Sequence, residues 1–144
     1  MAKINFRSGD RSFTFLNKTF LKKFIESLIK KEKQHLLEIN YVFCSDKFLL
    51  QMNRDFLNHD YYTDIITFGL SEKNQPIEAE IYISLDRVKE NAATLGVKYK
   101  EEILRVIFHG ALHLCGFKDK TKSEILVMRT KEEQYLQQFA KISK

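Results

Sequence analysis

The sequence predicts an α+β fold: a small mixed β-sheet of about four strands, with helices packed mainly on one face. Two observations carry this. Segments 35–45 and 77–84 place apolar residues at every second position, as half-buried strands do, and 64–70 is rich in β-branched residues. Segments 16–33, 46–57 and most of 85–139 place them every three to four positions, as amphipathic helices do. The resulting order is β-α-β-α-β-β-α-α-α. Its three closing helices must stack on the sheet, because no strands remain to alternate with them.

The elements follow in order. "KINF" (3–6) forms a short strand. "LNKTFLKKFIESLIKKEK" (16–33) forms a helix, with Asn17 as its expected N-cap and a staple between Leu16 and Leu21. In "HLLEINYVFCS" (35–45), Leu37, Ile39, Tyr41 and Phe43 share one face. "DKFLLQMNRDFL" (46–57) opens on an Asp46 cap and carries Phe48, Met52 and Phe56 at helical spacing. "DIITFGL" (64–70), the turn "SEKNQP" (71–76) and "IEAEIYIS" (77–84) make a hairpin. Helix 85–95 turns Leu85, Val88, Ala92 and Leu95 inward. Helix 99–115 is apolar on most sides and so is buried. Helix 122–139 opens on a capping box, Thr121-x-x-Glu124.

One domain spanning 1–144 accommodates all of this: the chain has 144 residues, one proline and no linker-like stretch. With 44% apolar residues it can build a core without disulfides. Cys44 and Cys115 lie in apolar surroundings and read as buried free thiols. No apolar run nears the ~18 residues of a membrane span, and the N-terminus lacks a signal-peptide core, so a cytoplasmic protein without membrane contact is expected. A net charge of +5 favours a polyanionic partner such as RNA or DNA, or an anionic membrane surface.

The chemistry concentrates in "VIFHGALHLCGFKDKTKSE" (106–124). His109 and His113, four apart at the end of the central buried helix, present both imidazoles on one face. Gly116 can end the helix in a left-handed cap, and the reversal can return Asp119 to the histidine face. Two imidazoles and a carboxylate suit one Zn²⁺ per chain with an open coordination position, though another divalent transition metal would also be served. Cys115 falls on roughly the opposite side of the helix. A metalloprotease would need an acid at position 110 to act as general base, and Gly110 carries none. Gly110 instead serves either close approach of another segment or substrate, or helix packing. Lys118, Lys120 and Lys122 interweave with the third ligand, and Lys98 precedes the helix. A metal beside lysines suits phosphodiester chemistry, with the lysines as candidate RNA contacts.

Three segments resemble the YbeY family of bacterial endoribonucleases. "HGALHLCGFKD" matches the family's metal motif at His109, Gly110, Leu112, His113, Leu114, Gly116 and Phe117. "MNRDFLNHDYYTDIITF" matches a second at Asn53, Asp60, Thr63, Asp64, Ile65 and Phe68, and "AEIYIS" resembles a third. The resemblance implies an α+β fold, a zinc ion held by three histidines, and cleavage of single-stranded RNA. It also implies maturation of the 3′ end of 16S rRNA and ribosome quality control in the cytoplasm, with rRNA, the 30S subunit and ribosome-associated proteins as partners. The chain departs from the family twice. Asp119 stands where the family keeps its third histidine, so the site should hold metal with two histidines and one aspartate. Leu57 stands where the family has an arginine; Arg54 and His59 are the nearby cations, and His59 is the candidate for the vacated catalytic role. Asp60, Thr63 and Asp64 are expected to fix the loop. A different class of function is a ribosome-assembly RNA-binding factor with a mainly structural metal; a small zinc metalloprotease is a distant third.

Overall fold

A computed structural model describes residues 3–142. Nine elements follow the expected order: β1 (Lys3–Ser8), α1 (Lys18–Lys31), β2 (Leu36–Cys44), α2 (Asp46–Leu57), β3 (Ile65–Gly69), β4 (Ile77–Ser84), α3 (Leu85–Leu95), α4 (Tyr99–Leu114) and α5 (Lys122–Ile142). The strands form one mixed sheet in the order β1-β2-β4-β3. β1 and β2 are parallel, β2 and β4 are parallel, and β3 closes the edge as the antiparallel arm of the hairpin with β4.

Alternation along the inner strands sorts the two faces. Ile39, Tyr41 and Phe43 on β2 and Ala79, Ile81 and Ile83 on β4 are buried against helices. Asn40, Glu78 and Glu80 point to the other, largely polar face. Helix α2 reaches that second face at the β3 edge, where Phe56 meets Phe68 edge-on with ring centroids 6.3 Å apart. Helix α4 lies at the centre, between the sheet and α1, α3 and α5. The fully buried Tyr41 donates its hydroxyl to the Ile107 carbonyl at 3.0 Å, tying α4 to β2. Gly110 allows the close approach: a Cβ there would stand 2.9 Å from Ile81 Cδ1 and 3.0 Å from Ile65 Cδ1. This glycine packs the helix on the sheet and does not open the helix to substrate.

Several local expectations are corrected. Ser45, not Asp46, caps α2, its hydroxyl accepting the Phe48 N–H at 3.1 Å. Asp46 instead ties α2 to α3, accepting hydrogen bonds from Ser84 Oγ at 2.8 Å and Arg87 Nη2 at 2.7 Å. Asn17 makes no side-chain cap, and Leu16 is 89% exposed, so the staple with Leu21 does not form. A register shift between Leu36 and Glu38 turns Leu37 outward. On α2 the buried positions are Leu49 and Asn53, while Phe48 and Phe56 are exposed. Leu95 points outward at the end of α3. The capping box forms as expected: Thr121 Oγ1 accepts the Glu124 N–H at 3.1 Å and Glu124 Oε1 accepts the Thr121 N–H at 2.9 Å.

Candidate functional site

One face of α4, from Glu102 to His113, lines a cleft of ≈ 750 Å³ that is walled also by the loop after α2, by β3, by the end of α3 and by α5. Gly116, at φ 107°, ends α4 in the left-handed region. Its N–H bonds the His113 carbonyl, and the Phe117 N–H bonds that of Leu112, the double bond of a Schellman cap. The reversal returns Asp119 to the helix: its Oδ2 is 3.2 Å from His109 Nε2. His113, one turn beyond His109 and exposed, lines the same cleft.

The other side of the His109 ring is held by Glu132 of α5, 2.7 Å from Nδ1 and 3% exposed. The carboxylate orients the ring and directs Nε2 toward Asp119. Burial works against the charged imidazole. The Glu132 hydrogen bond and charge, then the charges of Asp119 and Asp64, outweigh it, so the His109 pKa stands above the usual histidine value. An environment that favours a proton on this ring favours a metal cation beside it for the same electrostatic reason.

Glu132 was not legible as a site residue, yet the sequence holds its signal. The buried positions of α5 are Met128, Glu132, Tyr135, Leu136 and Phe139, an apolar stripe with one acid inside it. The same holds for Glu102 on α4, which is 4% exposed. Its Oε1 accepts no hydrogen bond from any described residue, although Arg105 Nε lies 3.4 Å away. Arg105 also reaches Glu132 at 3.4 Å and Glu133 at 3.1 Å, so its charge is shared among three carboxylates. Arg129 lines the cleft with its side chain 56% exposed; Glu132 lies 4.0 Å from it, and its charge also reaches Asp64 and Glu102.

The predicted site residues divide accordingly. His109 and Asp119 touch, and His113 and His59 share their cleft. Lys118, Lys120 and Lys122 are exposed and stand outside its described lining. Lys98 precedes α4 and stands outside the described lining too, about 22 Å from His113 along the helix axis. The cleft's fixed cations are the two arginines on α4 and α5. Arg54 is paired with Asp60, whereas Leu57 lines the cleft. Asp60 and the Thr63 hydroxyl, bonded to the Ile65 carbonyl, do fix the loop. Asp64 goes beyond that role: it lines the cleft, and burial, only partly offset by His109, raises its pKa.

Two imidazoles and a carboxylate in one cleft are donors of the kind that fit Zn²⁺ or a similar ion. Among the described residues, no three acidic, histidine or cysteine side chains already converge closely enough to hold one. Cys115 stays outside this set, and burial pushes its thiol up to about 12.

Fold and cleft together define a small α+β protein with a histidine–carboxylate site beside exposed arginine. Comparison with known proteins gives that class its family. The family model described as Endoribonuclease YbeY matches residues 3–140. The Endoribonuclease YbeY of Cytophaga hutchinsonii is 51% identical over 130 residues, covering 90% of this chain and 91% of that protein. That of Porphyromonas gingivalis is 43% identical over 136 residues, covering 94% and 89%. The solution structure of TM1509 from Thermotoga maritima matches with a TM-score of 0.62 and 29% identity, over 92% of this chain and 86% of that one. The chain belongs to the YbeY endoribonuclease family. An endoribonuclease family implies an RNA substrate and places the chain among the nucleases, a class of hydrolase. No described helix is long and apolar enough to cross a membrane.

Proposed function

We propose that the protein is a metal-dependent endoribonuclease cutting single-stranded RNA, with zinc held by His109, His113 and Asp119. The observation that carries this reading is the His109–Asp119 contact, buttressed by buried Glu132, in a cleft that also presents Arg129. The wider setting follows from the family resemblance: the 3′ end of 16S rRNA as substrate, the 30S subunit as partner, and ribosome quality control in the cytoplasm.

When bound, the ion supplies Lewis acidity toward a phosphodiester. The chain's own residues supply the rest. Glu132 fixes which nitrogen of His109 faces the cleft. Arg129 offers a guanidinium to a phosphate oxygen, a geometry that suits paired N–H donors. Arg105, engaged by Glu102, Glu132 and Glu133, couples α4 to α5 and holds Glu132 in register.

The test is cleavage of a single-stranded RNA by wild type, by chelated protein and by His113→Ala. Wild type should cut, chelation should abolish cutting and zinc should restore it. Full activity of His113→Ala after chelation overturns the reading.

A further inference from the structure

The loop leaving α2 carries a pair of aromatic rings whose placement the core does not explain. Asn53, 1% exposed, holds this loop at two points. Its carbonyl accepts the His59 N–H at 3.0 Å, and its side-chain amide donates to the Tyr61 carbonyl at 2.9 Å. Asn58, at φ 55°, makes the turn out of the helix. The anchoring therefore runs through the loop backbone, and neither ring is needed for it. Both rings are exposed, and both line the cleft that contains His109 and Asp119.

They are also locked together. Their centroids lie 5.0 Å apart with planes at 21°, and Tyr61 Oη is 2.9 Å from His59 Nδ1. Tyr61 is 55% exposed, and the exposed Leu57 and Leu95 line the same cleft. An ordered aromatic surface at the mouth of a phosphate-handling cleft suits stacking with a nucleobase, which requires no base-specific hydrogen bonds. A base inside a duplex is covered by its neighbours and cannot reach such a surface.

We infer that His59 and Tyr61 form a stacking subsite for one unpaired nucleobase of the RNA strand that enters the cleft. This rests on the endoribonuclease reading and deepens it: the subsite gives preference for single strands a physical origin, and it gives His59 a binding role in place of proton transfer. Tyr61 carries most of the effect, and its hydroxyl serves to hold the pair in register.

The test uses a single-stranded RNA oligonucleotide with 2-aminopurine at successive positions, the same oligonucleotide with an abasic nucleotide, and the variants Tyr61→Leu and Tyr61→Phe. Wild type should quench 2-aminopurine at one position on binding, and an abasic nucleotide there should weaken binding. Tyr61→Leu should lose the quench, become indifferent to the abasic substitution, and raise KM about 5- to 140-fold with kcat nearly unchanged. Tyr61→Phe should retain most of both effects. Thermal melts of both variants should match wild type, because the loop is anchored by backbone. If wild type cuts RNA but Tyr61→Leu keeps the quench and the KM, the subsite is refuted. If wild type cuts no RNA, the endoribonuclease reading fails first, and the inference falls with it.

Discussion

Glu132 holds His109 through Nδ1 at 2.7 Å from inside the apolar stripe of α5, so the chain's last helix determines how its central helix presents the site. A buried acid in such a stripe costs stability unless it is paired, and here its partners are His109 and Arg105. Its value lies in ring orientation. Glu132→Gln keeps the shape but removes the charge that orients and polarises the imidazole. Zinc affinity should fall about 10- to 100-fold, measured by competition with a chromophoric chelator. Unchanged affinity in a folded variant would refute this role for Glu132.

Arg129 should act as the phosphate contact. Its side chain is exposed at the cleft, and its nearest carboxylate is 4.0 Å away, so it can turn to a ligand at small cost. Arg129→Ala should raise KM about 10- to 150-fold, the weight of one charge-assisted hydrogen bond at about 1.5–3 kcal/mol. It should also reduce the salt slope of RNA binding by about 0.7, the value for one phosphate contact on a single strand. Lys118→Ala, outside the described cleft lining, should change neither. Equal effects from both variants would mean that binding is diffuse.

Much of this architecture was legible in the sequence because two periodicities and a few punctuating residues determine it. The alternation in β4 and in β2 from Ile39 onward, the Thr121–Glu124 box and the Gly116 turn all act locally, and all appear as read. Leu37 and Phe48 are exposed although their spacing is apolar, because periodicity marks an apolar face without saying whether a neighbour covers it; a strand irregularity at Leu37 and the shallow seating of α2 at Phe48 leave them uncovered. The return of Asp119 to His109 could be read from spacing across one turn. Glu132 and Arg129 could not, since they reach the site through packing of α5 on α4, at separations such as the 23 residues between His109 and Glu132; Arg105 lies on α4 itself, four residues before His109 and on the same face, but nothing local marks it as facing a cleft. The lysines crowd the sequence around Asp119, whereas the cations in the described cleft lining are Arg105 and Arg129.

Glu102 gives a pH dependence that separates stability from activity. Burial raises its pKa above the ordinary carboxylate value, and the Arg105 charge only partly offsets this. The folded protein therefore resists ionising Glu102 more than the unfolded chain does. Wild type carries a penalty above the raised pKa, and the penalty fades as pH falls through that value toward the ordinary one. Glu102→Gln removes the charge and should raise Tm at pH 7, with the gain shrinking toward zero near pH 4. A Tm gain that is independent of pH would point to packing instead.

Gly110 argues against a peptidase by position as well as by composition. A side chain there meets Ile65 and Ile81 of the sheet, and Gly110 is not among the residues that line the cleft with His109 and His113. Gly110→Ala gains about 1 kcal/mol of helix propensity but overpacks a tight contact at about 1–3 kcal/mol. The first contacts are the ends of isoleucine side chains that can shift in part, so a net loss near 1 kcal/mol is expected in denaturant titration. Gly110→Glu would restore the acid of a peptidase motif, but it would drive a carboxylate into an apolar contact with no cation opposite. It should unfold the protein or lower its stability by several kcal/mol, on the order of an unpaired buried charge. A folded Gly110→Glu variant that cleaved casein would show that position 110 can reach the cleft, and the orientation of α4 described above would then be wrong.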